Sequence, residues 1–285
     1  MAAQGRHSPT FQLAGQKVSA VTDLQQQIVP QAAPVKIDAD GESSAFERWA
    51  HSPKQLARTA GVLYLLVVIV GGFAEGYVYP MVYAAGDAAT TAGNLIANSG
   101  LVRLGVAADL FQATVWVLLA MTLYLLLKHV HKDAARAMVT FAAIGASITC
   151  LNAVFEFEAL RVATGAVDLS SLTPAGSDGV TLLLTDTQNY GLIAAQIFFG
   201  LWVVPLGYLV YKSGWFPKAL GVLLIVGALC YIVDALATFL FPDISQSVHS
   251  LIAVPGVIAE LWMVGYLLVI GVKTEQPDER MPGEA

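Results

Sequence analysis

The chain has 285 residues, of which 56% are hydrophobic and 13% charged, with a mean hydropathy of +0.64. Soluble domains carry about 25% charged residues, so this composition excludes a single water-soluble globule and points to the membrane. The formal net charge of −6 is not spread over one surface and names no partner, and no large basic face argues for nucleic acid.

Residues 1–50 come first and do not belong to any bundle. Gln25, Gln26 and Gln27 are followed by Pro30, Pro34 and small residues without a sustained period. There is no apolar stretch ending in a small-residue cleavage site, so a signal peptide is not expected. The composition predicts a disordered cytoplasmic tail. From residue 51 to 273 the chain reads as one membrane domain, and 274–285 as a short cytoplasmic tail.

A run of about 20 apolar residues crosses a hydrocarbon core of about 30 Å. Six such runs follow in order: Ala60–Tyr79, Leu104–Leu127, Ala137–Ala159, Asn189–Tyr211, Ala219–Leu240 and Leu251–Val272. None alternates polar and apolar residues as a barrel strand does. Backbone groups in lipid must be satisfied within the segment, so each run is predicted to be a helix. The fold class is therefore all-α, an integral membrane bundle of six transmembrane helices. Pro205 and Pro255 fall inside the fourth and sixth runs and predict kinks. The connections Gly86–Leu101 and Thr164–Thr185 are each long enough for a short surface helix.

Lysine and arginine set the orientation. Arg48, Lys54 and Arg58 precede the first run. Lys128, Lys132 and Arg136 separate the second and third, Lys212 and Lys218 the fourth and fifth, and Lys273 and Arg280 follow the sixth. The alternate connections hold only Arg103 and Arg161, beside Asp87, Asp168, Asp178 and Asp243. Both termini are expected in the cytoplasm of a cell whose plasma membrane holds the bundle.

Ionisable residues inside spans are costly and tend to mark sites. Here they are Glu75, Asp109, Glu156, Glu158, Asp234 and Glu260, with His249 at the mouth of the last run. At 1.5 Å per residue from the nearest basic residue, Glu75 stands about 25 Å up, Asp109 about 28 Å and Glu156 about 30 Å. By the same count Asp234 and Gln196 stand about 24 Å up and Glu260 about 20 Å. One polar side chain per helix at similar height reads as a layer of Glu75, Asp109, Glu156, Gln196, Asp234 and Glu260, which with His249 is expected to face a common cavity. Asp109 shares a helical face with Gln112, Asn152 with Glu156, Asn189 with Gln196, and His249 with Glu260 eleven residues on. Glu158 faces away and is expected to pair with Arg161. Gly72 and Gly76 flank Glu75 with the spacing that lets another helix approach closely.

Polar groups in a bundle often do no more than bond across helices, so a structural or regulatory protein without chemistry is the leading expectation. Five inward-reading carboxylates with so few cations favour something further, because such groups must take up protons, bind a cation or stand in water. A small carrier for protons or a cationic solute, with the carboxylates facing a cavity open to the outside, is one alternative. An intramembrane hydrolase using carboxylates and His249 is the other. The inner halves of the spans offer little polar path beyond Thr122, Thr140 and Tyr208, which counts against a simple channel. Cys150 and Cys230 lie in apolar runs and read as small hydrophobic residues. No metal site is expected, and no cofactor motif is present. The segment Lys128–Lys132 suits anionic headgroups, and the tryptophans read as packing or interface anchors.

Several stretches resemble a known family. They are LARTAGVLY (Leu56–Tyr64), VRLGVAAD (Val102–Asp109), FFGLWVVPLGYLVYK (Phe198–Lys212), GWFPKALG (Gly214–Gly221), YIVD (Tyr231–Asp234) and AELW (Ala259–Trp262). In order and spacing they are similar to the prokaryotic membrane family called domain of unknown function 4386, over roughly Leu56 to Lys273. The resemblance implies a six-span membrane protein and no particular reaction.

Overall fold

The structure is a computed structural model that describes residues 52–169, 171–241 and 246–273. The two tails, and with them the expectation of a disordered N-terminal segment, lie outside the described residues, as does Asp243.

Helix α1 (Pro53–Val82) opens with proline at its first position, where no backbone donor is needed. A π-helical turn at Ala74–Val78 interrupts it. Pro80 explains the turn: it lacks an N–H and its ring crowds the carbonyl four residues back, so the helix widens just ahead of it. A short helix α2 (Ala88–Ala97) follows. Its N-cap is Asp87, whose carboxylate accepts from the Thr90 backbone N–H at 3.0 Å and the Thr90 hydroxyl at 2.7 Å. Those bonds hold the Asp87 carboxyl below the usual carboxylate range.

Then come α3 (Ser99–Leu127), α4 (Lys132–Ala163), α5 (Pro174–Lys212), α6 (Lys218–Leu240) and α7 (Gln246–Val269). Among the described residues, six helices are long and apolar enough to cross a membrane, all but α2. α5 and α7 run through Pro205 and Pro255.

α5 corrects the sequence reading. It begins at Pro174, well before the apolar run, and its 39 residues span about 58 Å at 1.5 Å each. The first third is rich in Ser, Thr, Asp and Gln, which lowers hydropathy without breaking a helix. Thr181 and Thr185 return their hydroxyls to carbonyls four residues back, at 3.1 and 2.9 Å. The expected loop thus becomes a helical extension. Its neighbour α2 is the surface helix expected between Gly86 and Leu101.

The six spanning helices form a ring in chain order, each packed on its neighbours, with α7 closing on α1. α5 and α6 meet backbone to backbone. A Cβ at Gly207 would lie 2.8 Å from the Gly221 carbonyl oxygen, and one at Gly200 2.6 Å from that of Ala228. Small residues seven apart on each helix make that contact possible. Gly72 and Gly76, by contrast, have no neighbour within 4 Å. The glycine that accepts a close partner is Gly71, where the Gln112 side chain fills the missing space.

The outer faces expose Ile69, Leu104, Leu151, Leu229, Leu251 and other large apolar residues, as a lipid-facing surface does. The interior is apolar too, which is why the helices show so little amphipathic contrast. Leu119, Leu123, Leu126, Met138, Leu206, Leu209, Leu220 and Leu267 fill the ring at one end. That is the end where the basic connections gather. There the His129 and Trp215 rings lie 4.3 Å apart, Tyr266 donates to the Trp215 carbonyl at 3.1 Å, and Gly271 packs by Ala57. The start of α1 and the end of α7 therefore share the basic end. A smaller cluster of Val82, Leu95, Val102, Ala159 and Leu160 packs α1 to α4 together toward the opposite end.

Candidate functional site

Between these two clusters the ring surrounds a partly open cavity of about 470 Å³. α1 contributes Tyr64, Glu75 and Tyr79, with Glu75 carried on the π-helical turn. α3 contributes Gln112 and Trp116; the Trp116 ring is seated in the space left by Gly145 of α4. α5 supplies Asn189, Gln196, Phe199 and Trp202, α6 supplies Tyr231 and α7 supplies Glu260.

The seven residues expected to share a cavity separate into three groups around this space. In the first, Glu75 lies within electrostatic range of Asp109 and Glu156. Asp109 and Glu156 stand outside the wall and are 3% and 6% exposed. Glu156 packs against Gly105, and the Asp109 Oδ1 atom is buried without a hydrogen bond.

The second group is a chain of bonds across three helices. Gln196 donates its amide to Asp234 Oδ2 at 3.1 Å, and Asp234 Oδ1 lies 2.7 Å from His249 Nδ1. Gln196 faces the cavity; Asp234 and His249 stand behind it.

In the third group, Glu260 faces the hydroxyls of Tyr64 and Tyr231. The Tyr64 side chain is wholly buried, yet its hydroxyl closes no hydrogen bond within 3.5 Å. Tyr231 is held against Gly256 of α7, 2.5 Å from where a Cβ there would be.

Among the described residues the cavity wall carries two carboxylates and no Lys, Arg or His. The arginines nearest in sequence point elsewhere. Arg103 lies over the Phe157 ring at 5.8 Å, and Arg161 pairs with Glu158 at 2.7 Å. Among the described residues no three side chains of His, Cys, Asp or Glu converge as metal ligands.

Sequence reading missed the tyrosines and the role of two tryptophans. Trp116 and Trp202 line the cavity, while Trp215 braces the basic end and Trp262 is exposed. A signal existed for Tyr64, which precedes Glu75 by eleven residues, the three-turn spacing that also relates His249 to Glu260. Tyr231 precedes Asp234 by three. Asp186, bonded to the Tyr83 hydroxyl at 2.7 Å, was hidden because its segment read as a loop.

Residues 59–271 match the family model described as Domain of unknown function (DUF4386). The chain belongs to that family. The DUF4386 match includes every residue of the cavity wall. An uncharacterized protein of Archaeoglobus fulgidus is 31% identical over 123 residues, 43% of this chain and 60% of that protein. The chain thus spans less than two thirds of that relative's length. No solved structure matches the chain.

Proposed function

We propose that this DUF4386 protein binds a small positively charged solute in its intramembrane cavity, in exchange with protons, and carries it from the side opposite the basic connections. On this reading the basic connections and both ends of the bundle lie in the cytoplasm. The observation that carries it is the cavity wall, with Glu75 and Glu260 and, among the described residues, no cationic side chain. Asp109 and Glu156 add negative charge behind Glu75. Carboxylates gathered in a low-dielectric interior need a compensating charge, and a proton or a cation supplies it. The size falls in the range of about 300–1,000 Å³ usual for small-molecule sites.

The packed Leu/Ala core between the cavity and the basic end argues for alternating access and against an open pore. A hydrolase gains no support from the geometry, since His249 is bonded to Asp234 and stands outside the wall.

The test is thermal unfolding of the purified full chain in lipid nanodiscs with tetramethylammonium, potassium or sodium, across pH. A cation at 100 times its Kd stabilises by about 2.7 kcal/mol, and the effect shrinks as pH falls because protons compete. Glu75→Gln with Glu260→Gln abolishes both the shift and the proton release measured in weak buffer. If no cation shifts the unfolding temperature at any pH, the reading fails.

A further inference from the structure

We infer that the solute is an organic ammonium ion with an apolar body about the size of an aromatic ring; this rests on the cation-binding reading and specifies its ligand. The wall combines two carboxylates with six aromatic side chains, and the two kinds of surface meet at Tyr64. Trp116 stands edge-on to Phe199, with ring centroids 4.9 Å apart and planes at 69°. It is also edge-on to Trp202 at 5.8 Å and 74°, and Trp202 reaches Tyr64 at 5.8 Å. These four rings form a continuous floor that ends at the Tyr64 hydroxyl facing Glu260.

A hydrated metal ion uses none of that floor, and among the described residues no ligand set awaits one. A neutral apolar molecule would fill the floor but leave the carboxylates to be neutralised by protons alone. A cation with an apolar body satisfies both halves: its head sits between Glu260 and the tyrosine rings, where ring faces attract positive charge, and its body lies on Trp116, Phe199 and Trp202. The buried Tyr64 hydroxyl faces Glu260 without closing a bond within 3.5 Å, so this pair is the polar end of the wall that a ligand's charged head would meet. The rings are held in place without the ligand, Trp116 by Gly145 and Tyr231 by Gly256. Little ordering is then required on binding.

Three probes separate the contributions on the full chain in zwitterionic nanodiscs, read by tryptophan fluorescence and thermal shift. Benzyltrimethylammonium carries charge and ring, neopentylbenzene has the same shape without charge, and tetramethylammonium has charge without the ring. Benzyltrimethylammonium is expected to bind at least tenfold tighter than either of the others. Glu260→Gln should weaken it at least tenfold. Phe199→Leu should weaken it while leaving tetramethylammonium unchanged. The comparison of probes on the unaltered protein needs no variant to fold. Equal binding of tetramethylammonium or sodium overturns the ring-bearing ligand and leaves the cation reading standing. Equal binding of neopentylbenzene, or no response to any cation, overturns both.

Discussion

At the scale of single residues, Asp234 is the most connected polar group inside the bundle. Its two oxygens serve different helices, Oδ2 taking the Gln196 amide and Oδ1 meeting His249. Removing the carboxylate strands two half-buried partners, and a fully buried unsatisfied group costs about 1–3 kcal/mol, which bounds the loss from above. Asp234→Ala and His249→Ala should therefore each lower stability in detergent unfolding, and the double variant should lose clearly less than the sum, because both break one interaction. Additive losses would mean the pair contributes no coupling. Counting turns placed Gln196 and Asp234 at similar heights, with His249 at the mouth of the last run. It did not pair them, because pairing depends on which helices are neighbours in the ring. Periodicity within one helix carries no such information. The same limit hid the tyrosines facing Glu260.

At the scale of elements, glycine position decides which helices touch. A side chain at Gly207 meets the Gly221 carbonyl and the Ile225 backbone nitrogen, atoms that move only if α5 and α6 separate. Gly207→Val should cost about 1–3 kcal/mol, as overpacking does. Gly72→Ala should be neutral or stabilising by up to about 1 kcal/mol, since the added methyl meets nothing and alanine is the better helix former. Unfolding midpoints of the two variants check this. Equal losses would put Gly72 at an interface after all. The contrast also marks what the sequence could tell. Small residues four apart on α1 looked like a contact, but which side faces lipid depends on helix rotation. The spans themselves were legible because hydropathy follows from the solvent. Their ends were less so: the polar start of α5 is held by Thr hydroxyls bonded to their own helix, and the π-helical turn required Pro80 to be read together with Glu75.

At the scale of the whole molecule, the ring gathers the basic connections at one end. Lys128, Lys132 and Lys212 are exposed there, and Lys273 joins them through its backbone bond to Trp215. The other end carries Asp87 and Asp168, with Arg161 already paired to Glu158. Loops rich in Lys and Arg are retained in the cytoplasm, so on the proposed reading the cavity is loaded from the outside. With Cys150 and Cys230 replaced by alanine, single cysteines report the orientation directly. Ala89→Cys and Ala166→Cys, both exposed at the acidic end, should react with an impermeant maleimide added to intact cells. Asp133→Cys, exposed at the basic end, should react only after the membrane is opened. Reversed labelling would put the basic loops outside and turn the proposed direction of uptake around, while leaving the cavity and its ligand chemistry as they are. Labelling of all three from outside would mean a mixed population, which the one-sided distribution of Lys and Arg argues against.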